Sequence, residues 1–346
     1  MRFRTSVAVA FFLLFVFVVF TKGWASPEEL ARVQRYIEEN GLEWVAKETW
    51  ISRLPEEERS MYLGGYLYEP PPEDAIFYEP PKGEKLPSHF DWRDYNGGNW
   101  MTPVKNQGYC GACAAFSAIG AFEAVINIAN GDPDIDLDLS EQHLVSCAHG
   151  SCYSGMTIDN AMNYLKNYGT PLESCFPYTA GQSGVNPPCS NTCSDWQSQA
   201  RRVNYWGYVP NNITSIKSAI YNHGPVAAAV FACDDWYYYQ EGEVYSHPGS
   251  CSDCTPHGIV IMGWDDAGQY WIIKNSWTAA WGEGGYMRIK WGTCGIDTVF
   301  PVIYMTYTPR PDDSGGDDVC DDVCYKLRYC GLTDVSESRC LDWCIS

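Results

Sequence analysis

Apolar residues change their spacing three times along this chain, and each change marks a different element. They run almost unbroken through residues 7–20 of MRFRTSVAVAFFLLFVFVVFTKGWAS. They then recur on one helical face as Leu30, Val33 and Ile37 after Ser26, Pro27 and Glu29, which suit a capped helix start, until Asn40 and Gly41 stop the pattern. Residues 66–87, YLYEPPPEDAIFYEPPKGEKLP, hold prolines that deny helix and sheet pairing and predict an extended strap. Globular patterning begins at His89. Phe116, Ile119, Phe122, Val125 and Ile126 at steps of three and four predict a buried helix from Cys113 to Asn130, ended by Gly131. Ser140 caps a further helix through Cys147, and Thr157 caps one that stops at Gly169. The period then shortens: continuous or alternating apolar runs at 225–232, 258–264, 270–274, 286–291 and 300–305 predict strands. A helical half followed by a β half is an α+β chain with two lobes, and the seam between them is where a cleft forms.

Composition narrows the partners. With 23 basic and 43 acidic residues the formal charge is −20, which argues against nucleic acid and anionic membrane surfaces. The first 25 residues read as a signal peptide: arginines, a short apolar run, then small residues at Gly23 and Ala25. That run falls short of the ~20 residues that span a bilayer, so no membrane association is expected after its removal. Export makes the 16 cysteines disulfide formers rather than thiolate metal ligands, and no metal or cofactor is expected. If one cysteine is kept reduced for chemistry, an odd number remains.

The C-terminal end has its own character. Residues 309–319 read as a polar linker, and 320–346 as a cysteine-rich extension. Cys320 and Cys324 share a helical face, as do Cys340 and Cys344, which suggests Cys320–Cys344 and Cys324–Cys340 bridges with Cys330 left over. The extension leaves room for a partner of unknown identity.

The stretch QGYCGACAAF, from Gln107 to Phe116, poses the chemical question. Cys110 and Cys113 have the spacing of a redox pair, of half a zinc site, or of one structural cysteine beside one nucleophile. A thiol attacks carbonyl carbon only as thiolate, and at a pKa of ~8.5 it is mostly protonated at neutral pH. A helix N-terminus supplies about 0.3 to 1 kcal/mol toward ionisation, so a cationic partner is needed. Of six histidines, His257 opens the run GIVIMGW, where a strand can fix its ring, and Asn275 follows 18 residues later in WIIKNSW. A buried asparagine holds an imidazole tautomer without adding charge.

With those residues in view, the chain resembles the papain-like cysteine peptidases, the family of papain and the cathepsins. Cys110, Gly111, Ala112 and Cys113 match four of the five positions of the family's C-G-[SA]-C-[WY] motif. The likeness extends from about residue 86 to 307 through FDWRDY, TPVKNQG, LSEQHLVSC, PHGIVIMGW and KNSWTAAWGEGGYMRI. It implies a two-lobed fold with a helical left lobe and a β-barrel-like right lobe. It also implies Cys113 as nucleophile, His257 as base and then acid, Asn275 as orienter of His257, Gln107 as oxyanion donor and Trp277 as the shield over Asn275. Cys110 becomes structural, bonded to Cys152. Gly111, Ser154, Gly155, Trp277 and Val299 are the substrate-binding positions that follow.

The resemblance also divides the chain: signal peptide 1–25, inhibitory pro-segment 26–85, peptidase domain 86–308, linker and extension. ENGLEWVAKETW and the LGG beyond it resemble the short pro-segment of cathepsin B, yet no twin-histidine loop is evident, so action on internal bonds of polypeptides is expected. Ala114 stands where the family has a bulky aromatic, and Ser154-Gly155 where it has paired glycines. The rival reading is a non-catalytic binding or scaffold protein with the same fold. A secreted or lysosome-like location follows from the signal peptide.

Overall fold

A computed structural model describes residues 27–63, 69–240, 242–248 and 251–313. The expected signal peptide and the cysteine pairings of the 320–346 extension lie outside the described residues.

The N-terminal segment forms α1 (Pro27–Glu39), α2 (Glu56–Arg59) and a 3-10 turn at Ser60–Tyr62. Val33 and Ile37 are the buried face of α1, as their spacing predicts. Residues 69–87 contain neither helix nor strand beyond an isolated bridge between Phe77 and Tyr208, in keeping with the expected strap.

The helical lobe is built on α3 (Cys113–Asn130), whose span agrees with its sequence limits and which ends at Gly131 in the left-handed conformation, φ 69°. Glycine adopts this φ without the Cβ clash that other residues incur. Around it stand α4 (Glu141–Cys147), capped by Ser140 through the His143 N–H, and α5 (Ile158–Asn167), capped by Thr157 through the Asn160 N–H. Short helices α6 (Ala180–Ser183) and α7 (Trp196–Gln199) follow. The β lobe comprises β1 (His89–Asp91), β2 (Tyr205–Val209), β3 (Val226–Ala232), β4 (Thr255–Asp265), β5 (Tyr270–Lys274), β6 (Tyr286–Lys290) and β7 (Val302–Thr306), with α8 (Ile213–His223) packed on it.

The strands make one antiparallel sheet in the order β2-β7-β3-β4-β5-β6, with β1 also paired to β4. The lobe expected to be β-barrel-like is thus an antiparallel sheet that stays open: among the described residues β2 and β6 are the two ends of the path. Full closure needs pairing between end strands, and here α8 covers one face instead.

Residues 309–313, expected as the start of a linker, are docked on the domain. Arg201 Nε donates to Asp313 Oδ1 at 2.5 Å, Asp313 is buried, and the Arg310 guanidinium donates to the Ala200 and Ser198 carbonyls. A buried carboxylate needs such a cation beside it, which neither residue's local pattern reveals.

Five disulfides join the described cysteines: Cys110–Cys152, Cys147–Cys189, Cys175–Cys193, Cys233–Cys254 and Cys251–Cys294. Cys113 alone is free among the described residues. The expected Cys110–Cys152 bond is present, and the odd count falls on the five cysteines beyond Asp313.

Candidate active site

Cys113 is the first residue of α3, and the helix starts without a capping side chain at Ala112. The backbone N–H groups of Cys113, Ala114 and Gly258 face its sulfur and favour the thiolate, yet burial outweighs them and pushes the thiol up to about 12. Helix N-termini carry partial positive charge, but in a dry site desolvation of an anion is the larger effect.

Gly258 explains how strand and helix come together. A Cβ on it would lie 2.7 Å from the Cys113 carbonyl oxygen, so only glycine lets β4 pass this close to the helix start. Ser117 Oγ donates to the Ile259 carbonyl at 2.6 Å and fixes the same crossing. His257 is the residue immediately before this contact and is fully buried.

The imidazole is held from one side. His257 Nε2 lies 2.9 Å from Asn275 Oδ1, while Nδ1 has no hydrogen-bond partner. Asn275 Oδ1 also accepts from the Ser276 N–H at 2.8 Å, so the amide oxygen is locked toward the ring. The pairing register explains the juxtaposition: Val260 on β4 faces Lys274 on β5, so antiparallel continuation brings Asn275 and Trp277 back alongside His257. Burial holds the imidazole down at about 4; the Asn275 hydrogen bond and the Leu63 backbone pull the other way.

Trp277 lies over this pair, its ring centroid 5.2 Å from that of His257. Tyr237 stacks on it at 5.9 Å and Trp281 meets it edge-on at 5.0 Å, and Trp277 and Trp281 are fully buried. The aromatic wall excludes water from the His257–Asn275 bond.

Gln107 is positioned by a loop that pairs with the chain after β5. Its N–H donates to the Ser276 carbonyl at 2.9 Å, its Oε1 accepts from Ser276 Oγ at 2.7 Å and its Nε2 donates to the Cys110 carbonyl at 3.2 Å. One amide hydrogen on Nε2 is left for another acceptor. Gly111 donates to the Cys152 carbonyl at 2.9 Å, which with the Cys110–Cys152 bond ties the helix entry to the 151–155 turn. Ser154 and Gly155 lie in that turn, where Gly155 has φ 70° and donates to the Ser151 carbonyl. Val299 stands on the turn after Cys294, 42% exposed, its N–H bonded to the Gly295 carbonyl.

The structure thus brings Cys113, His257, Asn275, Gln107 and Trp277 to one place, and sets Ser154 and Gly155 on a turn bound to it. Ser276, which holds Gln107, and Gly258, which lets β4 reach the helix start, belong to the same arrangement without having been candidates from the sequence. A serine flanked by an orienting asparagine and a shielding tryptophan, and a glycine directly after a strand histidine, were the signals. Ala114 is fully buried without a bulky side chain of its own.

The N-terminal segment covers the site. The Trp277 indole N–H donates to the Tyr62 carbonyl at 3.0 Å, Tyr109 Oη donates to Glu58 Oε2 at 3.0 Å, and the backbone of Leu63 reaches the imidazole. Cys113, His257 and Gln107 consequently have no exposed surface.

Comparison with known proteins gives consistent likenesses. Residues 86–303 match the model of the papain family cysteine protease. A probable cysteine protease of Arabidopsis thaliana is 36% identical over 247 residues, covering 64% of this chain and 62% of that protein. Procathepsin L of Felis catus is 34% identical over 242 residues, covering 65% of this chain and 69% of that protein. The chain therefore spans less than two thirds of the Arabidopsis relative's length. Among solved structures, a digestive procathepsin L2 proteinase from Tenebrio molitor larval midgut superposes with a TM-score of 0.68 at 27% identity, covering 81% of this chain and 89% of that one.

Proposed function

The chain belongs to the papain family of cysteine proteases, and from that membership we propose that it is made as a zymogen and hydrolyses internal peptide bonds of polypeptides through Cys113. The observation that carries this reading is the His257 ring: one nitrogen is bonded to a neutral amide at 2.9 Å and the other has no hydrogen-bond partner and is covered by the N-terminal segment, on the residue next to the point where β4 meets the start of α3.

With the N-terminal segment gone, His257 Nδ1 takes the thiol proton and the Cys113 sulfur attacks the substrate carbonyl carbon. The negative charge passes to the carbonyl oxygen, which accepts from Gln107 Nε2 and the Cys113 N–H. Collapse breaks the C–N bond, the leaving amine takes the proton from His257, and an acyl thioester remains on Cys113. Water then attacks the thioester carbonyl, giving its proton to His257, and the acid is released as the thiol re-forms. Asn275 keeps the ring in one tautomer throughout, and no step calls for a metal or cofactor.

Segment 26–85 acts as the inhibitor, with processing after Ala25 and near Leu86. The covering contacts of Tyr62 and Leu63 support this. Gly111, Ser154 and Gly155 would pair with the acyl side of the substrate backbone, and Val299 would border the pocket for its second side chain. Secretion to an extracellular or lysosome-like compartment accords with the leader and five disulfides. The role of the cysteine-rich extension and any partner of it stay with this proposal.

The test is labelling of processed protein with an electrophilic epoxide. Stoichiometric modification, lost in Cys113→Ala together with peptide hydrolysis, is the expected result; absence of labelling would favour the scaffold reading.

A further inference from the structure

Arg59 is a charged residue of the pro-segment that the catalytic cycle does not use, yet it is only 5% exposed. Its guanidinium carbon sits 5.3 Å from the centroid of the Tyr237 ring, Nη1 donates to Tyr238 Oη at 3.5 Å, and Tyr237 Oη donates to the Arg59 carbonyl at 3.1 Å. The 3-10 turn Asp234–Tyr238 supplies all of these groups and adds Asp234, whose charge interacts with the guanidinium. Glu29 pairs with Nη2 and the Ser52 carbonyl accepts from Nη1, but both belong to the pro-segment and leave with it. What stays on the processed enzyme is an aromatic face and a phenol oxygen in contact with the planar cation, with the Asp234 carboxylate at the start of the same turn.

The place of this pocket follows from the site. Leu63 lies against His257 and Tyr62 against Trp277, and His257 is the group that hands a proton to the departing amine. The turn carrying Tyr237 stacks on Trp277, so it stands on the leaving-group side of the cleft. Arg59 is four residues from Leu63, and an extended chain advances about 3.3 to 3.6 Å per residue, which sets the pocket within about 14 Å of the imidazole. A substrate arginine two to four residues beyond the cleaved bond reaches the same distance.

Resting on the proteolytic reading above, we propose that the Arg59 pocket, formed by Asp234, Tyr237 and Tyr238, becomes on the processed enzyme a binding site for a guanidinium side chain on the leaving-group side of polypeptide substrates. The pro-segment holds it closed by occupying it with its own arginine. Tyr237 does double service, since it also backs Trp277, so a variant that probes the pocket must spare it.

The experiment uses internally quenched peptides with one fixed acyl-side sequence and arginine placed in turn at the second, third or fourth residue after the scissile bond, each against its alanine counterpart. The readout is the ratio of kcat/KM for the arginine and alanine peptides, in which any general change of activity cancels. A ratio of about five or more at one position, carried by KM and falling to about one in Asp234→Asn/Tyr238→Phe and partway in Asp234→Asn alone, is expected. A ratio below about two at all three positions, or one unchanged in the variants, would overturn the proposal. A second arm needs no turnover: synthetic peptide 27–63 is titrated onto processed Cys113→Ala protein by calorimetry. The Asp234→Asn/Tyr238→Phe change should weaken it about tenfold, and unchanged affinity counts against the pocket even if no peptide is cleaved, a result that would by itself count against the proteolytic reading.

Discussion

The indole N–H of Trp277, whose ring lies over His257, is bonded at 3.0 Å to the main-chain oxygen of Tyr62 in the pro-segment. The residue that keeps water from the His257–Asn275 bond is therefore also one to which the pro-segment is bonded. The Tyr62 ring meets Trp50, Tyr109 and Trp277 at centroid distances of 5.4, 5.6 and 6.5 Å.

Tyr62→Ala should release the inhibitor. Edge-on aromatic pairs contribute about 0.5 to 1.5 kcal/mol each, and two of the three partners lie on the enzyme, so free peptide 27–63 bearing the change should inhibit the processed enzyme at least tenfold more weakly. An inhibition constant within twofold of the parent peptide would show that the backbone bond to Trp277 suffices.

Asn275→Ala should lower kcat/KM on the order of 10²-fold, with KM little changed. The loss should be smaller than the ~10⁴ that follows loss of an aspartate in a serine triad, because a neutral amide orients the imidazole without stabilising its charge. Ser276→Ala, which frees Gln107 Oε1 from its 2.7 Å bond, should give a milder loss in the same parameter.

Gln107→Ala should cost about 10² to 10³ in kcat, the range for removing one oxyanion donor. Thiol labelling should survive the change, since the sulfur and imidazole are untouched. Loss of labelling in step with kcat would mean that Gln107 supports the ion pair rather than the oxyanion.

Acid should destabilise the fold through His143, a fully buried ring between Trp196 and Tyr164 whose nitrogens have no partner. Burial lowers it to about 4, so as pH falls the unfolded chain takes up a proton before the folded one does. Its contribution is complete above about 6.5 and is lost as pH drops through about 4, a change of about 3 kcal/mol. His143→Phe should flatten thermal stability across that window; a melting curve that falls with acid as steeply as the parent's would remove His143 as the cause.

Legibility in the sequence followed the range of the forces at work. The span of α3 and the caps of α4 and α5 depend on residues within a turn or two, and Ser140, Thr157 and Gly131 marked them correctly. The candidate site residues could be named from sequence because the chemistry proposed for them needs a particular side chain at each position, and the fold sets His257, Asn275, Gln107 and Trp277 around the start of α3. Strand β2, with tyrosine and tryptophan at its head and a glycine inside it, and helix α8 behind Asn212 were passed over, since tertiary packing on β7 rather than local pattern secures them. Whether the strands form an open sheet or a small barrel was left undecided by local pattern for the same reason: which strands become ends depends on distant pairings. The burial of Asp313 against Arg201 joins positions 112 residues apart, beyond any local signal.

The most direct measurement is the rate at which iodoacetamide modifies Cys113 across pH, compared in zymogen, processed enzyme and processed His257→Ala. In the zymogen, burial holds the thiol at about 12 and the imidazole at about 4, so both are neutral and modification should be slow at every pH up to 9. Uncovering should restore the ion pair: the processed enzyme should react rapidly and evenly from weakly acid to neutral pH, and His257→Ala should react only as pH approaches the ~8.5 of an ordinary thiol. Processed parent and His257→Ala proteins sharing one pH profile would contradict the pairing of Cys113 with His257.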